Sequence, residues 1–126
     1  LMSIPGIGPV YAAGILAEMG SVRCFKSNDA LAKYSGIVWR DNQSGEFDAD
    51  DTPMTKAGNR YLRYYLIQAA VSVATYCPEY SAFYEKKYAE VKNHPHKRAL
   101  ALTARKLIRL IFGLLDKNQL YSAAKE

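Results

Sequence analysis

The stretch Thr55-Lys56-Ala57-Gly58-Asn59-Arg60-Tyr61-Leu62-Arg63-Tyr64-Tyr65-Leu66-Ile67-Gln68-Ala69-Ala70-Val71-Ser72-Val73-Ala74-Thr75-Tyr76 is closed two residues later by Pro78, which cannot continue a helix from within. Inside it Leu62, Leu66, Ala69 and Val73 recur at spacings of three and four, the stripe of a helix that buries one face. Thr55 can cap its start. The pattern predicts a central core helix over about 55–76.

Working outward, the same helical periodicity continues almost throughout. Pro9 suits the first position of a helix and Gly20 suits its end, so a helix is expected over 9–19. Ser27, with Asp29 in the first turn, can cap a short helix that stops at Gly36. Downstream, a helix is expected over about 79–92, broken by Asn93-His94-Pro95, and another over about 96–115 with Leu100, Leu107, Leu110, Ile111 and Leu114 on one stripe. The polar segment 37–53 reads as one loop, or as a small hairpin pairing Ile37-Val38-Trp39 with Glu46-Phe47. The fold class is therefore an all-α, five-helix domain.

A length of 126 residues allows one core and excludes a second full domain. At 49% hydrophobic and 23% charged residues the chain is globular in composition, which excludes a disordered or disulfide-scaffold class. Its longest apolar-rich stretch, 107–115, is interrupted by Arg109 and falls far short of the roughly 20 residues that span a bilayer. No membrane role and no secretion signal are expected. Cys24 and Cys77 lack the spacing of a zinc or redox motif and read as reduced, packed thiols of a cytoplasmic protein.

Charge is unevenly distributed. Residues 1–53 hold 4 Lys+Arg and 7 Asp+Glu, whereas residues 54–126 hold 13 and 5. The second half is thus the candidate polyanion-facing half. Lys56, Arg60 and Arg63 fall at helical spacing and would form a basic stripe on the central helix, opposite its apolar face. Lys97, Arg98, Arg105, Lys106 and Arg109 would form a second basic surface on the last helix. Each set is also what a merely solvated helix face looks like.

Three other features carry candidate chemistry. Ile4-Pro5-Gly6-Ile7-Gly8-Pro9, followed by Val10 to Leu16, has the pattern of a helix-hairpin-helix, placed at 1–20 with most of its first helix ahead of Leu1. There Gly6 and Gly8 would shape a turn whose backbone donors hold a phosphate, or would serve packing alone. Ser44-Gly45 lies just before the basic stripe, where nearby cations would stabilise the oxyanion of an attacking serine; by itself the pair is a turn. Tyr76, Tyr80, Tyr84 and Tyr88 fall at four-residue intervals, either as stacking surfaces for bases or, more simply, as a half-buried seam. His94 and His96 carry no assigned role, and Asp48, Asp50 and Asp51 lack the support a Mg²⁺ site needs, so no metal site is expected.

In order, Ser3 to Pro9, Arg23-Cys24-Phe25, Ala30 to Gly36, Ser44-Gly45 and Thr55 to Arg63 with Ala69-Ala70 resemble the C-terminal domain of the DEDD-type insertion-sequence transposases, the Piv-invertase-related, RNA-guided serine transposase family. The resemblance spans about residues 1–116. It implies a nucleic-acid-binding domain that contributes Ser44 as the nucleophile for DNA strand cleavage and rejoining, with Lys56, Gly58, Asn59, Arg60 and Arg63 matching the segment after the serine. It implies a RuvC-like domain, absent from this chain, holding Mg²⁺, with no cofactor in the chain itself. DNA, a structured guide RNA and that RuvC-like domain are the implied partners, in a homo-oligomeric full-length protein. Leu1 reads as an internal boundary, and the chain alone as inactive. The competing readings are a non-catalytic helix-hairpin-helix DNA-binding module and a helical oligomerisation domain.

Overall fold

The computed structural model describes residues 1–39 and 54–123. Among the described residues five α-helices form: α1 Pro9–Met19, α2 Asn28–Ser35, α3 Arg60–Tyr76, α4 Pro78–Ala89 and α5 Pro95–Lys117, with a short 3-10 turn at Val22–Cys24. Among the described residues there is no strand beyond an isolated antiparallel bridge between Trp39 and Met54. None of the described helices is long and apolar enough to cross a membrane.

α3 is the hub: α1, α4 and α5 all pack against it, and α2 lies mainly on α5. Its expected stripe, Leu62, Leu66, Ala69 and Val73, is buried and meets Ile15 of α1 and Leu107, Ile108 and Ile111 of α5 in one core. Each fully buried Leu or Ile contributes about 1.5–3 kcal/mol relative to an exposed one. The small residues set how close the helices come. Gly6 has a φ of +104°, and a Cβ there would stand 2.7 Å from the Ser72 carbonyl oxygen, so the N-terminal turn rests on the backbone of α3.

α1 and α2 have the boundaries expected from Pro9, Gly20, Ser27 and Gly36. Ser27 Oγ accepts from the Ala30 N–H, and Gly36 takes the left-handed conformation at the end of α2. The other three differ in their ends. α3 starts at Arg60, not Thr55, because Lys56 and Gly58 have positive φ and break the helical path. Asn59, not Thr55, is the cap: its Oδ1 accepts from the N–H groups of Tyr61 and Leu62. α4 ends at Ala89 rather than near Lys92, where the Arg98 guanidinium takes the Lys87 carbonyl at 3.1 Å. α5 extends to Lys117, where Asn118 in the left-handed region returns its N–H to the Leu114 and Leu115 carbonyls.

The expected partner of 37–39, Glu46-Phe47, lies outside the described residues; Trp39 is bridged to Met54, with the Thr55 N–H donating to the Val38 carbonyl. Cys77 is buried and unpaired as expected, but Cys24 is exposed: it ends a surface 3-10 turn in which no residue is buried.

Candidate nucleic-acid interface

The site is built on a crossing of backbone. The end of α2 passes under residues 55–59, where the Lys56 N–H donates to the Gly36 carbonyl at 3.2 Å and the Asn59 N–H to the Tyr34 carbonyl at 2.7 Å. Gly58, at φ +112°, is held so close that a Cβ would stand 2.3 Å from the Tyr34 oxygen. Arg63 closes the crossing from α3, its Nη1 donating to the carbonyls of Ser35 at 3.3 Å and Lys56 at 3.0 Å. Asn59 uses its Oδ1 as the helix cap and donates from Nδ2 to Glu18 Oε1 at 3.1 Å and Tyr34 Oη at 3.4 Å. The series Lys56, Gly58, Asn59, Arg63 is therefore a backbone clamp. Asn59→Ala removes the cap and the link to α1, and is expected to cost about 1–2 kcal/mol of stability in a urea titration.

Beside this clamp, residues from the N-terminal turns of α3 and α5 line an open hollow of about 560 Å³. Lys56, Arg60, Arg63 and Lys97 supply four cations to its lining, and Met54, Tyr64, Ile67, Leu100 and Ala101 its apolar surface, with Gln68 and His96. Among the described lining residues there is no Asp or Glu. Lys56 is not on the central helix, which corrects the expected one-helix stripe. It reaches the same hollow because Arg63 holds its carbonyl and turns the chain toward α3. Arg60 and Tyr61 pair, the guanidinium lying 5.0 Å from the ring centroid.

The second basic surface is largely committed within the fold. Arg98 pairs with Glu90 at 3.0 Å, and its hydrogen bond, with a smaller contribution from Lys87, holds the Glu90 carboxyl below its ordinary range. Arg105 ties α5 to α2 through Asn28 at 2.9 Å and through Asp29. Burial, and then Arg109 nearby, lower the Arg105 pKa, while Asp29 opposes the shift. Lys106 pairs with Glu79 at 3.4 Å and sits over the rings of Tyr80 and Phe83. Arg109 is exposed, and Lys97 turns instead toward the hollow.

At the N-terminal turn the two glycines differ. Gly6 is pressed on α3, whereas Gly8 has an extended backbone, caps α1, and has open space where a Cβ would be. The tyrosine series is mixed: Tyr80 is buried, its hydroxyl raised far above its ordinary pKa chiefly by desolvation, while Tyr76 and Tyr88 are exposed. Tyr84 meets His96 through its hydroxyl and stacks edge-on at 5.8 Å. Among the described residues no three His, Cys, Asp or Glu side chains gather where they could hold a metal. Ser44, Gly45, Asp48, Asp50 and Asp51 lie outside the described residues; their segment joins Trp39 to Met54, and Met54 lines the hollow.

The residues not singled out from sequence are Tyr64, Ile67, Gln68 and Leu100 as parts of one site with the cations. Tyr64, Ile67 and Gln68 follow Arg60 at helical spacing and were open to inference; their meeting with Leu100 was not.

The described residues thus form an all-α domain with a hollow whose described lining holds four cations and no carboxylate. The profile of the transposase IS116/IS110/IS902 family matches residues 1–85, and the chain belongs to that family. It is 30% identical over 120 residues, 94% of its length, to the pilin gene-inverting protein of Moraxella bovis, covering 37% of that protein. It is 28% identical over 124 residues, 98% of its length, to the insertion element IS110 uncharacterized 43.6 kDa protein of Streptomyces coelicolor, covering 30% of it. A probable family 20 transposase of Pseudomonas aeruginosa is 26% identical over 122 residues. The chain thus spans about a third of the length of the curated relatives it matches.

Proposed function

We propose that this chain is the nucleic-acid-binding part of a transposase, and that it contributes Ser44 to DNA strand cleavage and rejoining. The observation that carries the reading is the gathering of Lys56, Arg60, Arg63 and Lys97 at one hollow whose edge, Met54, continues directly from the segment bearing Ser44. Membership of a transposase family supports it. In the proposed reaction the Ser44 hydroxyl loses its proton to solvent as Oγ attacks a DNA phosphorus, a phosphoserine ester forms, the bond to the leaving deoxyribose oxygen breaks, and that oxygen takes a proton back from solvent, so that no net proton is consumed. Rejoining reverses these steps and conserves the ester bond. The cations hold the phosphate and stabilise the charge that builds on it.

In the full-length protein a RuvC-like domain would hold Mg²⁺, a structured RNA would guide the choice of DNA site, and the protein would act as a homo-oligomer. Gly6 and Gly8 stay candidates for phosphate contact, with Gly8 the freer of the two. Arg109 is the member of the second basic surface best placed to add a phosphate contact, since Arg98 and Arg105 hold ion pairs within the fold.

Fluorescence anisotropy of a labelled DNA duplex at several salt concentrations tests the binding. Affinity is expected to fall linearly on logarithmic axes as salt rises, and Lys56→Ala, Arg60→Ala and Lys97→Ala each to flatten the slope by about 0.9, the value for one lost phosphate contact. Slopes unchanged in all three variants would remove the hollow from the DNA interface.

A further inference from the structure

The hollow between α3 and α5 carries more than phosphate contacts require. Phosphates are held by exposed cations on a convex or grooved surface, and they need no apolar floor. Here the cations share with Ile67, Leu100 and Tyr64 a concavity whose lining is mostly apolar. The hollow is open to solvent, and its volume of about 560 Å³ is within the roughly 300–1,000 Å³ of small-molecule sites. Tyr64 is 58% exposed and available for stacking. Gln68 brings an amide, a group that both donates to and accepts from a base edge, into the same lining.

We propose that this hollow takes one unpaired DNA base, displaced from its stack, while Lys56, Arg60 and Lys97 hold the flanking phosphates. The inference rests on the DNA-binding reading above and adds an occupant to it. Charge selects this occupant: four cations with no carboxylate among the described lining residues favour a polyanionic strand, and a base is the flat, edge-polar group such a strand can insert against Tyr64, Ile67 and Leu100. Pairing within a duplex would keep the base out. The energetic penalty of unstacking is smallest where the base is already unpaired, so the site distinguishes interrupted from continuous duplex.

The test uses the 126-residue chain and three labelled DNA duplexes, identical except that the first is fully paired, the second has one bulged 2-aminopurine and the third an abasic bulge. The bulged duplex is expected to bind about tenfold more tightly than the paired one, with a change in 2-aminopurine emission, and the abasic bulge to lose that gain. Gln68→Trp, which fills the hollow with an indole, should bring the affinity for the bulged duplex down to that of the abasic one. Tyr64→Ala, at an exposed position, should reduce the preference in a protein whose thermal melt is unaltered. Equal binding of all three duplexes by the wild-type chain overturns the base pocket while the DNA-binding reading stands. No binding of any duplex at low salt overturns both.

Discussion

Ser44→Ala in the full-length transposase is expected to lower strand cleavage by at least about a thousandfold and to remove any covalent protein–DNA adduct, because it deletes the oxygen proposed to attack the phosphorus. DNA affinity should stay within about twofold, since a neutral hydroxyl contributes little beside the charges of Lys56, Arg60 and Lys97. The two readouts together are decisive. Cleavage of a supercoiled substrate, followed by denaturing gel electrophoresis for the adduct, measures the first, and anisotropy on the same DNA measures the second. Near-native recombination by the variant would make water or another residue the nucleophile and would leave the chain as a DNA-binding module alone.

Gly58→Ala is expected to produce the largest loss of stability of any single methyl addition at the site, about 3 kcal/mol or more. Two causes add. The φ of +112° is strained for any residue with a side chain, and the new Cβ would stand 2.3 Å from the Tyr34 carbonyl oxygen, a backbone atom already fixed by the Asn59 N–H. Against a total stability of roughly 5–15 kcal/mol this is a large fraction. Gly8→Ala is the control: its backbone is extended, and a Cβ there meets nothing within 4 Å, so the change should be below about 1 kcal/mol. Urea denaturation midpoints of the two variants measure the difference. A small loss at Gly58 would show that the crossing of α2 under residues 55–59 relaxes, and that the hollow does not depend on it.

The same segment separates what could be read from sequence and what could not. Leu62, Leu66, Ala69 and Val73 announce a buried helix face through their spacing alone, and Pro78 announces its end. The start of that helix is not fixed by residue type, because Thr55 and Asn59 are both competent caps. The choice between them is made by Gly58 and Lys56, whose positive φ values are imposed by contact with α2. Lys56, Arg60 and Arg63 were legible as neighbouring cations. That Arg63 spends its guanidinium on two carbonyls, and that Lys97 joins the set from α5, depends on how two helices cross.

By itself, then, the sequence determined the helical class, the number of helices, the ends of α1 and α2, and the concentration of positive charge in the second half, because periodicity, caps and chain-breaking residues act over a few positions. Tertiary structure alone decided which charges remain available. Arg105 is tied to Asp29 across 76 positions and Arg63 to Ser35 across 28, and such pairings follow from the docking of one helix on another, where burial makes an unpaired charge costly and selects partners that no local pattern records.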